Sequence, residues 1–261
     1  MGLVNNNKQG FINWYKNKLT KAQRIFFYVL IINAIGFALI IYAIIKSLME
    51  KGQAFTRLDK FTNQSNVLLF IFSIFFVFFP KHSFMKNDKF LIATTVYILF
   101  TFIGYNFVLS PMKLGYQVND TPFEMFKDLY IHFFNPIIFI ICGFIKFVYE
   151  PNINLKKYHD YLIPGYIYPF IYTIYSISIP FVFNTHENQV YSVYKQATNI
   201  KDYPQIAWLI FSFNLFVYLP SSYFIIWFSA KKISQKYYLK YLDQKLAKNT
   251  IKFIRFDLDK N

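Results

Sequence analysis

IFFYVLIINAIGFALIIYAII, residues 25–45, is a run of twenty-one residues without a charge. At ~1.5 Å of rise per residue, such a helix is about as long as the hydrocarbon layer is thick. The rest of the chain repeats the pattern. Further runs fall at Asn63–Phe79, Phe90–Ser110, Leu129–Val148, Leu162–Phe181 and Ile206–Ser229. The runs are continuously apolar rather than alternating over ten residues, so helices are expected and a barrel is not. The expected fold is an all-α, polytopic integral membrane bundle of six transmembrane helices. It reads as one domain over residues 1–261, with a basic tail at 230–261.

Composition agrees. Of 261 residues, 55% are hydrophobic, with 34 Phe and 22 Tyr, yet the formal net charge is +15. The start, MGLVNNNKQG, is polar, and no cleavable signal peptide is expected from it. The single cysteine, Cys142, lies within a span and excludes an intramolecular disulfide.

Orientation follows from where Lys and Arg fall. The N-terminal arm, the connectors Pro80–Lys89 and Lys146–Tyr161, and the tail after Ala230 hold 20 of them. The connectors Lys46–Phe61, Pro111–Asp128 and Val182–Gln205 hold 8. Both termini are therefore expected on the cytoplasmic side of the cell membrane. The tail interleaves basic residues with Tyr, Leu and Ile, as a helix at an anionic lipid surface would. Without any recognition motif, nucleic acid is not an expected partner. Membrane lipids are. Oligomeric state is not legible.

Polar groups inside spans usually face other helices, water or a ligand. Phe61–Asn66 reads FTNQSN and opens the second span, where Thr62, Asn66, Leu69 and Ser73 share one helical face, with Ser65 beside them. His132, Asn135 and Pro136 open the fourth span. The fifth carries Tyr168, Tyr172, Thr173, Tyr175 and Ser176, and Pro164 and Pro169 are expected to make its first turns irregular. With both termini inside, Thr62 and His132 begin spans that run from outside to inside. They should therefore lie near the outer face together. A hydroxyl and an imidazole are the parts of a nucleophile–base pair. The plainer assignment makes Thr62 or Asn63 the N-cap of the second span, and His132 an interhelical hydrogen-bonding residue. No His pair has metal-ligand spacing and no glycine-rich phosphate loop occurs, so no metal or other cofactor is expected.

FTNQSN, "HFFNP" at His132–Pro136 and "YLIPGYIYPFIYTIYS" in the fifth span together resemble the bacterial Pr6Pr membrane proteins, over about Arg24 to Phe228. That family is grouped with the androgen-induced and androgen-dependent six-span hydrolases. The resemblance implies a membrane-embedded threonine hydrolase of fatty acyl esters, acting on a lipid-like substrate, with Thr62 as nucleophile and His132 as base. Asn63, Ser65, Asn66, Asn135, Tyr168 and Tyr172 are then pocket or oxyanion candidates, and Asp128 is the candidate to orient His132. The alternative is a six-span transport or solute-binding subunit without hydrolytic activity, using the Thr62–Asn66–Ser73 stripe and the span-five tyrosines.

Overall fold

The computed structural model of the chain describes residues 10–51, 55–111, 121–184 and 189–258. The opening residues 1–9, part of the connector before span 4, and His186 lie outside the described residues. Six helices are long and apolar enough to cross a membrane: Lys21–Glu50, Phe61–Phe78, Ser83–Leu109, Pro122–Tyr149, His159–Val182 and Pro204–Asp243, spans 1 to 6. Each overlaps an apolar run in the sequence, and four of the six extend past their run at both ends. Hydropathy falls off at the interface, whereas helical hydrogen bonding continues past it. The protein is thus an all-helical, multi-pass membrane protein among its described residues. The one extended feature is an isolated bridge between Asn184 and Val190.

Spans 3 and 4 form the centre, with span 1 against spans 2 and 4, span 6 against spans 3 and 4, and span 5 at the edge on spans 3 and 6. Hydrogen bonds at each end define the up-and-down order. At the end nearer the termini, the Gln23 amide of span 1 donates to the Phe76 carbonyl of span 2 at 3.0 Å. Lys146, late in span 4, contacts Asp88 in span 3 at 2.5 Å, and Asn152 donates to the same carboxylate at 2.8 Å. At the opposite end, Asn66 of span 2 donates to the Ile131 carbonyl of span 4 at 3.2 Å. The core between them is aromatic. Phe26, Phe72, Phe76 and Phe139 meet largely edge to face, with centroids 4.9–5.9 Å apart. The exposed surface, by contrast, is rich in Ile, Leu and Phe, as a lipid-facing surface is.

One local expectation is corrected. Span 5 is not irregular at its prolines: the helix His159–Val182 runs unbroken with Pro164, Pro169 and Pro180 inside it. Pro169 has no N–H for the Gly165 carbonyl four residues earlier, and the Tyr97 hydroxyl donates to that carbonyl instead, at 2.8 Å. Gly165 also leaves room for the Tyr223 hydroxyl, which sits where a Cβ would be. The regularity breaks elsewhere. Spans 3, 4 and 6 contain π-helical segments at Gly104–Leu109, Tyr130–Phe134 and Asn214–Tyr218. All three lie in the half of the bundle away from the termini. Such wide turns often mark functional sites.

Candidate functional site

Span 2 begins at Phe61, and its first amides need acceptors. Neither Thr62 nor Asn63 caps the helix. Lys60 holds the capping position in extended conformation without a side-chain bond. The acceptors come from far along the chain: the Phe61 N–H donates to the Tyr172 hydroxyl at 3.0 Å and the Thr62 N–H to the Tyr194 hydroxyl at 3.2 Å. Tyr172 in turn donates to the Asp59 carbonyl at 2.9 Å.

With that cap in place, the other polar side chains of FTNQSN turn to cross-linking. The Asn63 amide donates to the Arg57 carbonyl at 2.7 Å and the Gln64 amide to the Leu58 carbonyl at 2.9 Å. Gln64 Oε1 accepts the Tyr168 hydroxyl at 2.5 Å. Ser65 Oγ donates to the Thr62 carbonyl at 3.0 Å and meets Thr101 Oγ1 at 2.6 Å. Asn66 Nδ2 donates to the Thr62 carbonyl at 2.8 Å as well as to Ile131, while its oxygen accepts from Asn135 at 2.7 Å. Further down the stripe, Ser73 Oγ accepts from Asn33 at 2.8 Å. These groups bind helix to helix. The exception is Thr62. Its side chain is buried, at 4% exposure, and Oγ1 has no partner in hydrogen-bonding geometry.

Thr62 lines a cavity of about 380 Å³, within the range that encloses a small ligand. The Tyr172 and Tyr194 hydroxyls meet it at the Thr62 end. Elsewhere the wall is largely apolar, with Phe100 and Val108 of span 3, Pro169 of span 5, and Leu209, Phe213 and Leu215 of span 6, although Thr173, Asn214 and Tyr218 also contribute to it. Two of the three π segments, those of spans 3 and 6, contribute to it.

Of the other candidates, Tyr172 lines this cavity and the rest fall around it. His132 is buried and does not line it; its ring stacks on Tyr105, centroids 3.5 Å apart and 8° from parallel, and Tyr105 forms the wall. His132 Nδ1, like Thr62 Oγ1, has no hydrogen-bond partner. The two residues sit at one end of the bundle, where Asn66 donates to the carbonyls of Thr62 and of Ile131, the neighbour of His132, but no hydrogen bond joins Thr62 to His132. Asp128 accepts from the Tyr105 hydroxyl at 3.3 Å and lies 3.6 Å from Lys127, so it holds Tyr105 rather than His132. Tyr172 lines the cavity; Asn63, Ser65, Asn66, Asn135 and Tyr168 do not. Among the described residues, no group of His, Cys, Asp and Glu is placed to hold a metal ion.

The segment 190–200 supplies what the sequence reading missed. Tyr191 donates to both oxygens of Asp59, at 3.1 and 2.9 Å, and Tyr175 adds a third bond at 3.1 Å. Burial pushes the Asp59 carboxyl above its ordinary range, and the tyrosine hydroxyls partly offset this. Burial, helped by nearby Arg57, lowers the Lys60 ammonium to about 8. Burial also raises the Tyr194 phenol to about 12, which keeps its proton in place at neutral pH. Tyr194, Ala197 and Thr198 close the cavity from the connector side. Two tyrosines three apart in VYSVY, residues 190–194, were the available signal.

Comparison with known proteins replaces the Pr6Pr resemblance. The family model that matches, over residues 125–236, is described as "Protein of unknown function (DUF1600)". The relatives found are mycoplasma proteins. "Uncharacterized protein MG452" of Mycoplasma genitalium is 35% identical over 240 residues, covering 90% of each chain. "Uncharacterized protein MG452 homolog" of Mycoplasma pneumoniae is 33% identical, covering 82% of this chain and 86% of its own. "Uncharacterized protein MG133" of Mycoplasma genitalium is 31% identical over 66% of this chain and 73% of its own. No solved structure matches. The motif that suggested Pr6Pr misled because most of its polar residues serve helix joining, a need of any span that begins at a polar turn. The chain belongs to the family of protein MG452 and carries, from residue 125 to residue 236, the DUF1600 segment.

Proposed function

We propose that the protein binds a lipid-like molecule in this cavity, with the apolar chain among the side chains of spans 3, 5 and 6 and the polar end at Thr62. One observation carries the reading: a largely apolar cavity is lined, at Thr62, by a buried hydroxyl that has no partner. A buried unpaired polar group costs ~1–3 kcal/mol, and a ligand that hydrogen-bonds it recovers much of that. At the Thr62 end the Tyr172 and Tyr194 hydroxyls already accept the first amides of span 2. Elsewhere in the lining the buried Tyr218 hydroxyl is also without a partner, a second point at which a ligand could be held. The excess of Lys and Arg near the termini supports placing both termini in the cytoplasm and the cavity in the outer half of the membrane.

The test is a photoreactive fatty acid, with a diazirine on its chain, presented to the purified protein in liposomes. Labelling is expected on peptides that contain cavity residues. Thr62→Val removes the hydroxyl with little change in volume and should weaken saturable labelling by about three- to tenfold, the worth of one hydrogen bond. Labelling spread evenly over the lipid-facing surface, unchanged by Thr62→Val, would end this reading.

The same unpaired hydroxyl favours a second reading, ester hydrolysis. Thr62 Oγ would form an ester with the acyl carbon, the alcohol would leave with the proton, and water would then release the acid. His132 stands one ring behind the wall, so a proton passed to it would require Tyr105 to move. A fluorogenic acyl ester separates the two readings. Turnover lost in Thr62→Val and in His132→Gln indicates chemistry, and saturable labelling without turnover indicates binding.

A further inference from the structure

We propose that the cavity loads sideways from the hydrocarbon layer, through a mouth between spans 3 and 6, and that its ligand is a single-chain lipid. The inference rests on the reading of the cavity as a lipid site and adds its route and its guest.

The lining is graded from one side to the other. Val108 is 40% exposed, Phe213 53% and Leu209 71%, and all three also line the cavity. Thr62, Ala197 and Thr198, also in the lining, are buried. The wall that reaches the surface is therefore apolar, and it belongs to parts of spans 3 and 6 whose neighbours Phe107, Phe216 and Val217 are exposed as well. Apolar surface of this kind faces lipid.

The connector side is built to stay shut. Ser192 Oγ donates to the Lys195 carbonyl at 2.6 Å, the Tyr194 N–H to Thr198 Oγ1 at 2.8 Å, and the Lys201 and Asp202 amides to Asn199 Oδ1 at 3.2 and 3.1 Å. The Tyr191–Asp59 bonds fasten this cap to the start of span 2. Opening a route here would expose a run of buried polar groups together.

The mouth has its own supports. The span 3 π segment is tied to span 4, because Asn106 donates to the His132 carbonyl at 2.9 Å. The span 6 π segment is tied to span 5, because the Tyr166 hydroxyl donates to the Leu215 carbonyl. Each wall is thus held from behind, by a different neighbour. A cavity of about 380 Å³ lies at the lower end of the range that encloses a small ligand, which favours a guest with one acyl chain over a guest with two.

The experiment follows labelling over time in liposomes with the diazirine fatty acid dissolved in the bilayer. Leu209→Trp places an indole at an exposed site of the mouth and should slow cavity labelling by about tenfold, since the plug must move before a chain passes. To separate blockage from misfolding, Leu209→Cys in a Cys142→Ala background is reconstituted first and then alkylated with pyrenyl maleimide. Labelling should be fast before alkylation and slow after it. Gln196→Trp on the exposed face of the cap should load at the wild-type rate. Leu209 variants that load at the wild-type rate, or a cap substitution that alone slows loading, would overturn the sideways route. A two-chain phospholipid probe that competes as well as the fatty acid would overturn the single-chain guest. Absence of cavity labelling in wild type would remove the lipid reading itself, and this inference with it.

Discussion

At the residue scale, Gly165 shows how closely spans 5 and 6 are fitted one turn from the cavity. Its missing side chain is the space taken by the Tyr223 hydroxyl, and Tyr223 is fully buried. Gly165→Ala gains a little helix propensity and forces Tyr223 out of place, at ~1–3 kcal/mol for overpacking. The net result should be a lower unfolding temperature in detergent, partly restored by Tyr223→Phe in the same chain. A variant as stable as wild type would show that the tyrosine has somewhere else to go. Neither partner of this pair was legible in the sequence. The same holds for the polar residues of FTNQSN. That they lie at the start of a span could be read directly, but their partners, Thr101, Ile131, Asn135 and Tyr168, stand 36 to 104 residues away. A single sequence carries no trace of such pairings.

At the element scale, the cap at 190–200 hangs on one carboxylate. Asp59 binds Tyr175 and Tyr191, with Lys60 adjacent. Because burial raises its pKa, the native state holds the Asp59 proton more tightly than the unfolded chain does. The Asp59 contribution to stability therefore declines as pH rises from the ordinary carboxyl value through the raised one, and increases on acidification. Asp59→Asn cannot titrate. The wild-type advantage in unfolding temperature over Asp59→Asn should grow as pH falls from about 7 to about 4. A difference that shrinks over this interval would mean that the ionised carboxylate is the favoured form and that the tyrosines outweigh burial. The sequence announced the six long helices because a span must be apolar from end to end. It was silent about the π segments, which follow from how neighbouring helices pull on a backbone.

At the scale of the whole molecule, six crossings and the hydrogen bonds at each end place both termini at one end of the bundle and the cap at the other. Single-cysteine variants in a Cys142→Ala background should divide accordingly in intact cells. Gln196→Cys should react with an impermeant maleimide from outside, and Lys236→Cys only after the membrane is opened. The reverse pattern would invert the molecule without altering its fold. This orientation is the one expected from Lys and Arg alone, because translocation depends on charge near the ends of spans rather than on packing. Family membership was not legible in the same way. Tyrosine, proline and polar caps recur for physical reasons, and a short set of them matched the wrong family.

The tyrosine cap on span 2 also sets a timetable. The amides of Phe61 and Thr62 wait for hydroxyls that follow 111 and 132 residues later. When span 2 first enters the membrane, Tyr172 and Tyr194 have not yet been synthesised. Its leading turn must rest on water or lipid headgroups until span 5 and the connector beyond it arrive. The wall that holds Thr62 is therefore among the last parts of the protein to be completed, and a chain stalled before span 6 would present that end of the helix unfinished.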